Sequence, residues 1–180
     1  LRITILDANA AIVDSFDLVA TNVFLTALGV LPDFTKAYVT LSDSTNMPVK
    51  CIDLNTQAYV SDLDAGISNY GSGKDILCLG TDIILVPYYK SNSVIVRKYD
   101  SAGTVLGTAT LDAYVGGSDI LDVRLCPDLT EATFIAWVKG LTNGHDYFLT
   151  INVASMTVTS ATPQLDEYED TNFIATAYAT

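Results

Sequence analysis

A hairpin motif returns along this chain at a near-constant interval, and that interval restricts the fold more than any other feature. Val94–Leu111 (VIVRKYDSAGTVLGTATL) overlays Leu1–Leu18 (LRITILDANAAIVDSFDL) without a gap, and both read as strand, aspartate-headed turn, strand. A third, tighter copy is Lys50–Leu63 (KCIDLNTQAYVSDL). The turn aspartates Asp7, Asp53 and Asp100 are spaced 46 and 47 residues apart, and the closing aspartates Asp17, Asp64 and Asp112 are spaced 47 and 48. A period of this length in a chain dominated by strand signals predicts an array of similar supersecondary units.

Few segments sustain a helical apolar pattern. β-branched and aromatic runs such as Val23–Leu28, Ala37–Leu41, Ile83–Tyr89, Val94–Tyr99, Thr133–Val138 and Phe148–Val153 recur between turn-forming clusters. Among those clusters are Leu31-Pro32-Asp33, Ser101-Ala102-Gly103 and Asn143-Gly144-His145. Grouped by the period, the runs fall into sets of four, here called a to d. The chain reads as a single all-β domain, 1–180, with units at about 21–64, 65–112 and 113–160. The repeated tripeptide Asp75-Ile76-Leu77 and Asp119-Ile120-Leu121 is taken to open the second and third units. Leu1–Leu18 looks like c and d without partners and Gln164–Thr180 like a and b without theirs, so 161–180 with 1–20 forms a fourth, split unit.

Composition narrows the function classes. Apolar residues make up 49% of the chain and charged residues 17%, which favours a strand-rich domain over disorder. A net charge of −12 repels a phosphate backbone and an anionic bilayer surface, so nucleic acid is not an expected partner. No apolar run approaches the length of about 18 residues that insertion as a helix requires. Cys51, Cys78 and Cys126 are odd in number, lack a CxxC spacing and sit in apolar runs, which predicts three buried thiols. The chain opens at Leu1 with no initiator methionine and no leader-like stretch, so a processed, trimmed or partial chain is expected.

Four-stranded units of this size in series are the sequence habit of β-propellers. The stretch Val96–Gly107 (VRKYDSAGTVLG) resembles the strand, Tyr/Phe-Asp-x-x-Gly, strand hairpin of bacterial and phage-encoded propeller repeats. The resemblance spans most of the chain by period and about eighteen residues by motif. Ala10 stands where the turn glycine of the motif would be in the N-terminal copy. The resemblance implies antiparallel blades, about four of them, with the split unit closing the ring. A two-sheet β-sandwich or jelly roll of the kind found in virion proteins is the alternative, and assembly of copies into a larger ring is a further one.

Candidate chemistry is sparse. The single histidine, His145, sits in an Asn-Gly turn with no cysteine at a zinc-ligand spacing. No Gly-x-Ser-x-Gly elbow is present, and Gly71-Ser72-Gly73-Lys74 lacks the phosphate-loop spacing, so Tyr70–Lys74 reads as a connection between units. Asp62, Asp64 and Asn69 supply the oxygen density of a calcium site without the terminal glutamate of a full loop, and are the metal candidates; no other cofactor is expected. Asp166–Asp170 (DEYED) is the densest charge run and reads as a solvated loop, with a cation or a basic partner as the alternative. Tyr88, Tyr89, Trp137 and Tyr147 could stack a sugar, but aromatics at alternating strand positions are mostly core or cross-strand pairs. The expected function is a non-enzymatic structural or adhesive module of a cell-surface, virion or extracellular assembly, with protein assembly partners. A glycan-binding propeller and a jelly-roll virion protein are the alternatives.

Overall fold

The computed structural model describes residues 2–6, 9–17, 24–42, 48–64, 71–72, 75–90, 93–115, 120–140 and 146–162. Among them there is no helix. Strands β1 (Arg2–Leu6) and β2 (Ile12–Asp17) form an antiparallel hairpin. Strands β3 (Phe24–Val30), β4 (Lys36–Ser42), β5 (Val49–Asp53) and β6 (Ala58–Asp64) follow as one antiparallel meander, the first blade. In the second blade, β7 (Gly71–Ser72) and β8 (Leu77–Leu79) share the first strand position against β9 (Ile83–Lys90), followed by β10 (Ser93–Tyr99) and β11 (Val105–Thr110). Strands β12 (Ile120–Pro127), β13 (Thr133–Gly140), β14 (Asp146–Asn152) and β15 (Val158–Thr162) make the third. Three successive four-stranded antiparallel sheets, each a simple up-and-down meander, are propeller-like blades rather than the two facing sheets of a sandwich.

Local chemistry dictates the hairpins. In the second blade Asp100 heads a turn in which its N–H donates to the Thr104 carbonyl and the Gly103 N–H donates back to the Asp100 carbonyl, with Gly103 at φ +89°. That is a type I turn closed by a left-handed residue, and it shifts the β10–β11 register between Lys98 and Tyr99. The β1–β2 hairpin has the same shift between Ile5 and Leu6, with Ala10 at φ 61° in the place of Gly103. The overlay of these two hairpins in the sequence is therefore an overlay in three dimensions, and Ala10 takes the left-handed conformation without the freedom of glycine.

The core lies between blades. One apolar layer joins Leu85, Val96 and Leu111 of the second blade to Phe134, Leu149 and Ile151 of the third. Another joins Tyr38, Val49 and Cys51 of the first blade to Ile84, Val86, Tyr88 and Tyr99 of the second. Each large side chain fully buried in this way contributes roughly 1.5–3 kcal/mol. Period-2 alternation assigns the layers: along β13, Phe134, Ala136 and Val138 enter the layer shared with the second blade, and Ile135 faces away, exposed. On the far side of the first blade, Ala37, Val39, Leu41 and Ile52 form a third buried cluster.

Successive blades interlock in one sense. The Gly103 turn of the second blade is pressed so closely onto the first that a Cβ there would lie 2.9 Å from the Leu63 carbonyl oxygen. The equivalent turn of the third blade is clasped by Lys98 of the second, whose buried ammonium donates to the carbonyls of Val153 (2.7 Å) and Ala154 (3.1 Å). Along the first strand positions, the Leu125 N–H donates to Asp75 Oδ2 (2.7 Å), while Gly29 leaves no room for a Cβ beside Ile76.

Three sequence expectations change here. Asp75 accepts a hydrogen bond from the Ile76 N–H, and the residue that repeats this is Asp122 with the Val123 N–H, 47 residues on. Asp119, which the tripeptide matches to Asp75, lies outside the described residues. Within Tyr70–Lys74, Gly71 and Ser72 are not mere connection but pair with Tyr89 and Tyr88. From Leu77 the pairing with β9 runs in a register two residues removed, with Leu77 opposite Leu85. Finally, of the three free thiols only Cys51 is fully buried; Cys78 and Cys126 are partly buried. Burial pushes the Cys78 thiol up to about 12, so it is inert as a nucleophile at neutral pH.

The Tyr38 hydroxyl is buried beside the Cys51 thiol with no hydrogen bond of good geometry, and burial pushes its ionisation up. Tyr38→Phe is expected to be neutral or to stabilise the chain by up to about 1 kcal/mol in urea melts, because it removes an unsatisfied buried hydroxyl. A loss above about 1 kcal/mol would mean that the hydroxyl has a real partner in solution.

Candidate functional site

In a meander the a–b and c–d turns emerge at one end and the b–c turns at the other, and the turns at the first end are joined by hydrogen bonds across the blades. Within the first blade the Leu54 N–H donates to the Thr35 carbonyl. Lys36 Nζ reaches from there to the Ser101 carbonyl of the second blade (3.3 Å), and the Ser101 N–H donates to Asp82 Oδ1 (2.7 Å). The Gly80 N–H donates to Glu131 Oε2 of the third blade (2.8 Å), where the Val153 N–H in turn donates to the Ala132 carbonyl. Six turns thus form one continuous face.

Aspartate stands at the head of, or inside, most of these turns for a local reason: its carboxylate accepts N–H groups two to four residues on, fixing the turn. Asp33 takes the Thr35 N–H and hydroxyl, Asp53 the N–H groups of Asn55 and Thr56, and Asp100 those of Ala102 and Thr104. Asp128 takes the Thr130 N–H and the Thr133 hydroxyl, and Asn152 plays the same part toward Ser155. The donors hold the carboxyls of Asp33, Asp53, Asp82 and Asp128 below the ordinary value of 3.8; the leading donor is the Thr35 N–H for Asp33, the Thr56 N–H for Asp53, and the Ser101 and Thr133 side chains for Asp82 and Asp128. These four carboxylates therefore keep their charge below the pH at which a free aspartate takes up a proton.

Apolar side chains share this face. Phe34 is 73% exposed at the tip of the first a–b turn, and Leu129 is fully exposed at the tip of the third. Tyr59 and Val105, each two residues beyond the left-handed residue of its own c–d turn, are half-exposed. Phe34 also holds φ 56°, a left-handed conformation that costs a non-glycine residue about 1–2 kcal/mol.

Stability should follow the turn carboxylates. Because their folded pKa values lie below 3.8, their contribution is present above that pH and is lost as pH falls through the folded values. Asp75 has the opposite sign: burial raises its carboxyl, the Leu125 N–H and Arg124 only partly countering this, so its effect favours the fold below 3.8 and declines as pH rises toward the folded value. With four turn carboxyls against one, the urea midpoint is expected to fall between pH 4 and pH 2. A midpoint that instead rises through this range would assign acid stability to relief of charge repulsion.

No group of three or more potential metal ligands gathers among the described residues, and of the metal candidates only Asp62 has described side-chain contacts. Asp62 Oδ1 accepts from Lys50 Nζ (2.5 Å) and from the Tyr59 hydroxyl (2.8 Å), and Lys50 lies 4.8 Å over the Tyr59 ring. Asp64 pairs through its backbone with Val49, and Asn69, His145 and Asp166–Asp170 lie outside the described residues. Of the aromatic candidates, Tyr88 is fully buried with its hydroxyl 3.2 Å from that of Tyr99, and Trp137 is buried opposite Phe148. Tyr89 and Tyr147 are partly buried against the inter-blade core. A charged group absent from the sequence reading is Asp75, Asp122 and Arg124, where Arg124 Nε donates to Asp122 Oδ2 (3.1 Å). With both Asp75 oxygens taken by backbone N–H groups, it acts as an inter-blade clamp.

No family model and no curated protein sequence matches the chain. Solved structures share its fold. The chain is similar to Kuenenia stuttgartiensis hydrazine synthase at 17% identity and TM-score 0.67, over 90% of this chain and 43% of that one. It is also similar to a chain of a mitotic checkpoint complex (10% identity, TM-score 0.61, 89% and 45% covered) and to a eukaryotic initiation factor (10%, 0.59, 83% and 35%). It spans less than half the length of each, and at these identities the likeness is one of fold alone.

Proposed function

We propose that the chain is a non-enzymatic structural or adhesive module, working through protein contacts in a cell-surface, extracellular or virion assembly. The observation that carries this reading is the six-turn face, where large apolar side chains stand exposed on a surface tied together by hydrogen bonds. Phe34, Tyr59, Val105 and Leu129, four of the ten large apolar side chains exposed among the described residues, share this one hydrogen-bonded face, an arrangement that suits a partner-binding surface. A glycan partner has less support, since Tyr88 and Trp137 are buried. The reading is tested by capturing cell-surface material on the immobilised chain after protease or periodate treatment. Loss of capture on protease treatment alone is expected. Loss on periodate alone would replace the protein partner with a glycan, and turnover of the captured material would replace the module with an enzyme.

We further propose that the segment following β15, 163–180, completes a fourth blade with the β1–β2 hairpin and closes a ring; Ala161 and Thr162, which the sequence reading gave to that unit, pair with Leu149 and Phe148 in the third blade. Support comes from that hairpin, which has the bulge and left-handed turn of the outer pair of the second blade, and from the buried cluster on the far side of the first blade. Deleting 163–180 is expected to abolish amide-exchange protection in Arg2–Leu6 while leaving β9 and β10 protected. Unchanged protection in β1 would rule out its pairing with that segment.

A further inference from the structure

Resting on the reading of the chain as an interaction module, we propose that the six-turn face docks a basic polypeptide whose apolar side chains seat against Phe34 and Leu129. Two independent features meet there. The turn tips expose an aromatic and an aliphatic side chain that the fold does not use, and Phe34 does so from a left-handed position. The same turns carry Asp33, Asp53, Asp82, Asp100, Asp128 and Glu131 against two cations, Lys36, which is occupied by the Ser101 carbonyl, and the buried Lys98, which is occupied by the Val153 and Ala154 carbonyls. Each turn carboxylate keeps acceptor sites beyond the N–H groups it binds, so lysine or arginine can be received without dismantling the turn.

Charge selects the occupant. A second copy of the chain, at net −12, would meet this face with like charge, and so would a nucleic acid or an anionic bilayer. A basic partner is attracted at long range, and apolar anchors then supply the short-range contact that carries affinity. Phe34 and Leu129 stand on the first and third blades, so an occupant that touches both bridges the second blade and its Gly80–Asp82 turn.

The test uses the full chain, labelled for amide NMR, and three peptides of equal length: alternating Lys/Leu, alternating Lys/Ser and alternating Glu/Leu. The Lys/Leu peptide is expected to bind with shifts centred on the six turns, at least about tenfold more tightly than Lys/Ser, and the Glu/Leu peptide not at all. Raising salt from about 50 to about 200 mM should weaken the Lys/Leu complex, because the steering charges are solvent-exposed. The double variant Phe34→Asn/Leu129→Ser should lose at least about tenfold in affinity with an unchanged or higher melting temperature, since asparagine tolerates the left-handed turn. Lys/Leu binding that survives the double variant, or no binding by any peptide, overturns the proposal. Shifts mapping away from the turns overturn this face and leave an interaction module standing, whereas protease-insensitive capture would replace the protein partner itself.

Discussion

Gly103→Ala lowers the stability of the chain by about 2–4 kcal/mol, and the loss exceeds what its backbone conformation alone accounts for. At φ +89° any side chain is strained, which costs about 1–2 kcal/mol. The added Cβ also meets the Leu63 carbonyl oxygen at 2.9 Å, a backbone atom of the preceding blade that can yield only by separating the two blades. Gly80→Ala is the control. Gly80 has φ +54°, yet its nearest neighbour to a Cβ is the flexible Glu131 carboxylate at 3.9 Å, so only the conformational cost of about 1–2 kcal/mol applies. Urea melts of the two variants separate strain from docking. Equal losses would show that the Gly103 turn does not hold the blades together.

Lys98→Ala is expected to cost a similar 2–4 kcal/mol, roughly 4–16 °C in melting temperature for a chain of this size. The side chain is only 7% exposed, and its ammonium donates to two carbonyls of the next blade. Removing it strips a charged donor from the buried Val153 carbonyl and leaves the volume of the stem empty. Lys98→Met keeps the stem and loses only the donor, so its cost should be smaller. Amide exchange should localise the damage to the Val153–Met156 turn and the β10–β11 hairpin. If the methionine variant melts with the wild type, water replaces the ammonium and the interaction adds nothing to stability.

The blade pattern was legible because period and turn chemistry agree: an aspartate recurs where a carboxylate must accept turn N–H groups, and alternating apolar residues mark strands on either side. The register slipped where a short tripeptide outweighed the period. Asp119-Ile120-Leu121 copies the letters of Asp75-Ile76-Leu77, but Asp122, at the 47-residue spacing, repeats its hydrogen bond. The split of the first strand position in the second blade was missed because a two-residue change of register against β9 depends on the neighbouring strand and leaves no pattern in the letters of β7 and β8 themselves. The six-turn face was half visible. Its aspartates announce themselves, whereas an apolar residue at a turn tip or strand start, such as Leu129 or Val105, reads the same whether it points into a core or into water. Lys98 was invisible for the converse reason: a lysine amid a strand implies solvent, and only the docked turn of the next blade makes it interior.

The direction of the interlocking bears on how the chain is made. Both the Gly103 turn and the Val153–Met156 turn reach back to a blade nearer the N-terminus. At about 5–20 residues per second, a ribosome releases one 47-residue unit roughly every 2–9 seconds, far longer than a hairpin takes to form. Each unit that emerges therefore meets strands that have had ample time to pair into hairpins, and growth can proceed as a ratchet in which the nascent chain clips onto what precedes it.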